Sequence, residues 1–169
     1  MSLLFLSSLP NFEEVTIGNA TIGAISGIKK LRDLTPLEEL RIKQLLTDNH
    51  VPEILTEAYT LAATAAEESG GNASEIFAAL LDQDKRLSIA TKYPEILAKF
   101  TAIAQSVGEQ TVFYRVLAIL QCRHNKEWSI EGLREVQENS PALFRELVVF
   151  ANGEAMRWTE TEEQEPQVG

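Results

Sequence analysis

The sequence predicts a mainly α-helical protein, an irregular bundle of about six helices behind a short N-terminal β-hairpin or extended arm. Three observations carry that prediction. Up to Leu34 the pattern is extended: Val15-Thr16-Ile17-Gly18-Asn19-Ala20-Thr21-Ile22 reads as two β-prone runs joined by a turn pair. Beyond it, apolar residues recur at the spacing of a helix face. Between the two lies Leu34-Thr35-Pro36-Leu37-Glu38. Thr35 caps the first orphan N–H groups there, Pro36 suits the first helical position, and Glu38 reaches back to complete a capping box. The chain therefore divides into an arm and hairpin over 1–34, a helical domain over 35–158 and an acidic disordered tail over 159–169.

The first residues include the apolar run Leu3-Leu4-Phe5-Leu6, which needs cover from the helical body or from a partner. In the hairpin, Val15 and Ile17 alternate with Thr16, Gly18-Asn19 turns the chain, and Thr21-Ile22 opens the return. Past Gly23 and Gly27, Ile25, Ile28 and Leu31 continue a second strand. Two strands alone are marginal in water, so they must pack on helices, extend into a larger sheet or pair with another chain.

The first helix carries Leu37, Leu40, Ile42, Leu45 and Leu46 and ends near Asp48-Asn49. Pro52 starts the second, whose stripe of Ile54, Leu55, Ala58, Leu61, Ala62 and Ala65 is alanine-rich and allows close helix–helix approach. Gly70-Gly71 stops it, and Asn72-Ala73-Ser74-Glu75 offers caps for a helix bearing Ile76, Phe77, Leu80, Leu81 and Leu87. Tyr93-Pro94 is a stop and a restart. Ile96, Leu97, Phe100, Ile103, Ala104 and Val107 follow at helical spacing, and Gly108 punctuates. Over 109–124, Val112, Phe113, Val116, Leu117, Ile119 and Leu120 form a broad apolar arc, with Thr111, Ala118 and Cys122 as a small-residue face. That is the pattern of a central helix. Ser129 caps a short helix to Glu138, and Ser140-Pro141 starts the last, with Leu143, Phe144, Leu147, Val148, Phe150 and Ala151 inward. Pro-Glu-Ile-Leu occurs at Pro52 and again at Pro94, about 42 residues on, near a HEAT-like period, but two copies fall short of a solenoid.

Composition narrows the function. Hydrophobic residues make up 44% of the 169, enough for a core, and the formal net charge of −10 repels phosphate backbones, which argues against nucleic acid. Apolar stretches fall short of the ~20 residues that cross a bilayer. The single cysteine cannot close an internal disulfide, which fits a reducing, cytoplasmic setting.

Candidate chemistry is sparse. His50 stands in an Asp-Asn-His turn; Cys122 and His124 are two apart on a helix and so diverge, with Cys122 read as a small core residue. Asp82-Gln83-Asp84 lacks the glycine and glutamate of a calcium loop, and the glycines make no phosphate cradle. The expectation is no enzyme, no metal and no cofactor. Tyr114 and Arg115, on the most apolar helix, are the candidate ligand-binding or structural polar pair.

The block from Val15 to Ile22, continuing through Leu31-Arg32-Asp33-Leu34-Thr35-Pro36-Leu37-Glu38, resembles the start of many phage tail assembly chaperones. Those small proteins open with a short β-segment and a basic Leu-x-x-Leu-Thr-x-x-Glu lead into a helical body; Lys29, Lys30 and Arg32 supply the basic residues here. The resemblance covers the first quarter of the chain. It implies a non-enzymatic factor that binds aggregation-prone tail components, such as the tape measure, in the host cytoplasm during virion assembly. Leu3, Leu4, Phe5, Leu6, Val15 and Ile17 are then the partner-binding candidates. Two other readings stand beside it: a structural component of a larger particle, whose hairpin adds strands to a neighbour, and a small-ligand sensor centred on Tyr114 and Arg115. Self-association is compatible with each.

Overall fold

The computed structural model of the chain describes residues 13–30 and 33–163, with side chains through 153. The run 3–6 and Leu31 fall outside the described residues. The order is β1 (Glu13–Asn19), β2 (Gly23–Lys30), α1 (Pro36–Asp48), α2 (Val51–Ser69), α3 (Ala73–Leu81), α4 (Arg86–Lys92), α5 (Pro94–Arg123), α6 (Ile130–Asn139) and α7 (Pro141–Glu163). The fold is thus mainly helical behind a short hairpin, as the sequence predicts. Three helix boundaries differ. The helix expected from Asn72 to Tyr93 is broken between Leu81 and Arg86, where Asp82 Oδ1 accepts the Asp84 N–H at 2.9 Å and so favours a turn. Conversely, α5 runs unbroken for 30 residues through Gly108. A glycine costs a helix about 1 kcal/mol, which the flanking turns absorb. Helix α7 continues through Glu163, into the segment expected as acidic tail; residues 164–169 are outside the described residues.

The chain falls into two compact units: Met1–Ile42 with Arg115–Gly169, and Lys43–Tyr114. The division passes through α1 and α5.

In the first unit the hairpin is antiparallel, pairing Glu13 with Lys30, Val15 with Ile28 and Ile17 with Ile25. The register slips between Val15 and Ile17, so Ser26 and Gly27 together oppose Thr16, with Gly27 at φ +76°. This bulge has a purpose visible in the sequence spacing. Ile25 and Ile28 are three apart and would face opposite sides of a regular strand; the extra residue returns both to one face. The turn also differs from expectation. It spans Ala20 to Ile22, because Asn19 Oδ1 accepts the N–H groups of Thr21 and Ile22 at 2.9 and 3.1 Å, an Asx arrangement that makes Asn19 the last strand residue. Thr21 and Ile22 are therefore turn residues. Of the three ways to stabilise the hairpin, the chain uses packing on a helix. Gly18 N–H donates to Glu146 Oε2 at 3.0 Å, and Ser140 Oγ donates to the Ile22 carbonyl. Gly18, at φ +90°, admits the close approach, since a Cβ there would collide with the Gly23 carbonyl oxygen and with Leu143.

The capping box forms as predicted: Glu38 N–H donates to Thr35 Oγ1 at 3.3 Å, and Thr35 N–H donates to Glu38 Oε1 at 2.9 Å. Val116, Leu117, Ala118, Ile119 and Leu120 are all buried, so this stretch of α5 is enclosed on every side. Among the described residues, Ile17, Ile28, Leu133, Leu143, Leu147 and Ala151 are the other buried apolar residues of the unit.

In the second unit the alanine stripe is the core of α2. Ala58, Ala62, Ala65 and Ala66 cluster with Ile76, Leu80, Ile89 and Phe100, and Phe77 lies edge-on to Phe100 with ring centroids 6.5 Å apart. Gly70 closes α2 in the left-handed conformation, and the Asn72 side chain accepts from Ser74 and Glu75 N–H to open α3.

Candidate functional site

The strongest polar cluster is one the sequence reading did not assemble. Glu38 is 1% exposed and Arg123 5%. Arg123 Nε donates to Glu38 Oε2 at 2.6 Å and Nη2 donates to Oε1 at 3.1 Å, a bidentate pair. Nη2 also lies 3.4 Å from the Asp33 carbonyl, and the guanidinium stands 5.7 Å from the Phe150 ring centroid. Beside it, Arg41 Nε donates to Gln121 Oε1 at 2.7 Å, and Gln121 Nε2 donates to the Trp128 carbonyl at 2.7 Å. Every polar atom of Glu38 is thus spent on the helix cap or on Arg123. Enclosed and saturated, the pair fastens the start of α1 to the end of α5 and offers nothing to a substrate. The signal was present: Glu38 ends a capping box, and Arg123 follows an apolar run whose inward positions it shares.

That inward turn of Arg123 decides the fate of its neighbours. Residues adjacent on a helix diverge by about 100°, so Cys122 is exposed, which corrects its assignment to the core. Partial desolvation, then the Glu38 carboxylate, push its thiol above the ordinary range, against opposing effects of Arg41 and Arg123. A protonated thiol is a poor nucleophile. His124 points elsewhere: its Nδ1 accepts the Trp128 indole N–H at 2.8 Å. His50 occupies the turn before α2 at φ +59° and lies 3.0 Å from Glu53 through Nδ1, with both side chains exposed.

The sequence-derived partner and ligand candidates are distributed as follows. Ile17 is buried and Val15 half-buried, so the apolar face of the hairpin is covered within the unit. Leu3, Leu4, Phe5 and Leu6 lie outside the described residues. Tyr114 is buried, with its ring edge-on to Phe113 at 5.4 Å, and Arg115 is half-buried with Nε lacking a hydrogen-bond partner among the described residues. The division into units falls between these two residues.

Large apolar side chains are open in both units, at Leu37, Leu40 and Val149 in the first and on two flanks of α2 in the second. At about 100° per residue, Leu55 and Tyr59 fall to one side of the alanine stripe, and Glu57, Thr60 and Leu61 to the other. On the first flank, Tyr59 lies edge-on to Phe77 of α3 with centroids 5.4 Å apart. Leu55 and Leu81, one turn beyond each partner, are 51% and 58% exposed, and Leu87 on α4 is 78% exposed. On the second flank, Glu57, Thr60 and Leu61 form one wall of a groove of about 440 Å³; Lys99, Ala102 and Ile103 of α5 form the other.

No family model, curated protein or solved structure matches this chain. What it does must be read from its own surface. Among the described residues, no three His, Cys, Asp or Glu side chains gather to hold a metal, and no helix is long and apolar enough to cross a membrane. The Glu38–Arg123 pair is enclosed, while large apolar side chains such as Leu55, Leu81 and Leu87 are left open.

Proposed function

We propose that this chain is a non-enzymatic, protein-binding assembly factor that holds a helical client, the role its resemblance to phage tail assembly chaperones implies. The observation that carries the reading is the exposed apolar strip around the Tyr59–Phe77 contact, with Leu55 and Leu81 one helical turn beyond it. Large apolar side chains left open on a packed helical unit mark interaction sites, and helical spacing suits the i, i+3/i+4 anchors of an amphipathic client. The charge of −10 keeps such a surface soluble while the client is absent.

The test is affinity capture from native cells, comparing the wild-type chain with Leu55→Asp/Leu81→Asp and identifying bound proteins by mass spectrometry. Both positions are exposed, so the variant should keep its circular dichroism and melting temperature. The expected result is a stoichiometric helical client on the wild type that the variant loses. Equal retention by both, or recovery of the wild type with no client, defeats the reading.

A second reading, a structural part of a larger particle, draws on the hairpin. The sheet has two strands among the described residues, so each strand has an outer edge not paired within it. Recovery of the chain within a finished particle would favour that reading.

A further inference from the structure

The groove between α2 and α5 is built from two copies of one pattern. Pro52-Glu53-Ile54-Leu55 and Pro94-Glu95-Ile96-Leu97 stand at the starts of the two helices. At the same offset from each proline come Glu57 and Lys99, Thr60 and Ala102, and Leu61 and Ile103, which are the six residues that line the groove. Equivalent positions therefore line the groove from its two walls, apolar at Leu61 and Ile103 and opposite in charge at Glu57 and Lys99. Neither Glu57 nor Lys99 has an ion pair or hydrogen bond among the described residues.

We infer that the occupant of this groove is a second copy of the same chain, stacked face to face about a two-fold axis lying along the groove. Such a rotation sets α2 of one copy over α5 of the other, completing a four-helix arrangement. Leu61 and Ile103 of both copies fill the centre, while Thr60 and Ala102 leave room for close approach. Glu57 of each copy meets Lys99 of its partner, giving two ion pairs by symmetry. The charge pattern selects this occupant. A wall of one sign would call for a partner of the other, whereas one charge of each sign on equivalent positions is complementary to itself. The inference stands apart from the client strip, which lies on the other flank of α2.

The experiment is the mass of the full chain by analytical ultracentrifugation across a concentration series, with two charge reversals and their combination. Wild type should reach twice the monomer mass. Glu57→Lys or Lys99→Glu alone turns both attractive pairs repulsive and should weaken dimerisation at least tenfold, on the order expected for two close charge pairs. An equimolar mixture of the two variants should dimerise again, because each then supplies what the other lacks, and the double variant Glu57→Lys/Lys99→Glu should dimerise alone. Both positions are exposed, so unchanged circular dichroism accompanies every variant. A wild type that stays monomeric at all concentrations overturns the inference. So does a dimer that survives both single reversals, or single variants that stay monomeric when mixed.

Discussion

Glu38 is asked to do two things at once, to close the cap of α1 and to neutralise Arg123, and it does both from full burial. Losing one partner of such a pair costs more than losing both, because a stranded charge cannot regain its hydration. Arg123→Met should therefore cost about 3–5 kcal/mol in urea unfolding. Glu38→Leu/Arg123→Met should cost less than that single change, even with the cap lost at about 1 kcal/mol. A double variant less stable than Arg123→Met would show that the pair contributes chiefly through the cap. Cys122 supplies a pH dependence. Its thiol is raised in the folded state, chiefly by desolvation, so the unfolded chain ionises it more readily. The contribution of the protonated thiol is fully present below the unfolded value and is lost as pH rises through the folded one. The melting temperature should thus fall faster with alkaline pH in wild type than in Cys122→Ser. Parallel curves would remove Cys122 from the account.

At the scale of elements, local chemistry was readable where a side chain acts on its own backbone. Thr35 and Glu38, Asn72, Ser129 and Gly70 each mark a helix end that the fold uses, since the bond involved spans a few residues. Gly108 misled for a related reason. Its propensity favours a break, yet α5 continues past it, with Gln105 donating to Glu109 at 2.9 Å and Gln110 to Ser106 at 3.1 Å across the glycine. Nothing lies within 4 Å of a Cβ added there. Gly108→Ala should accordingly raise stability by about 1 kcal/mol, read as a higher midpoint in thermal or urea unfolding. A lower midpoint would mean that the glycine is needed for a backbone geometry beyond the regular helix. The hairpin shows the limit of pattern reading in the other direction. Its turn residues were misplaced because Gly18-Asn19 is a strong turn signal in isolation. The Asn19 side chain instead caps the following N–H groups, and Gly18 is spent on the approach to Leu143 and Glu146.

For the whole molecule, periodicity was enough to give a mainly helical chain with a leading hairpin, and it placed the alanine stripe and the buried stretch of α5 in cores. It gave no hint that the chain forms two compact units, one of them drawn from both ends of the sequence. Nor did it sort the leucines of amphipathic helices. Leu37, Leu40, Leu55, Leu81 and Leu87 share the spacing of buried residues and are all exposed, whereas Glu38 and Arg123 are enclosed. Of the partner candidates named from sequence, Ile17 proved covered, while the open strip and the groove lie on helices read at first as core-forming.

The sequence by itself determined the elements, their caps and the class of fold, because those follow from contacts within a few residues and from the hydrophobic period. Only the tertiary structure decided which apolar positions are left open, which charges are paired and which residues line a groove. Those outcomes depend on what packs against each face, and a helical period says that a face is apolar without saying what covers it.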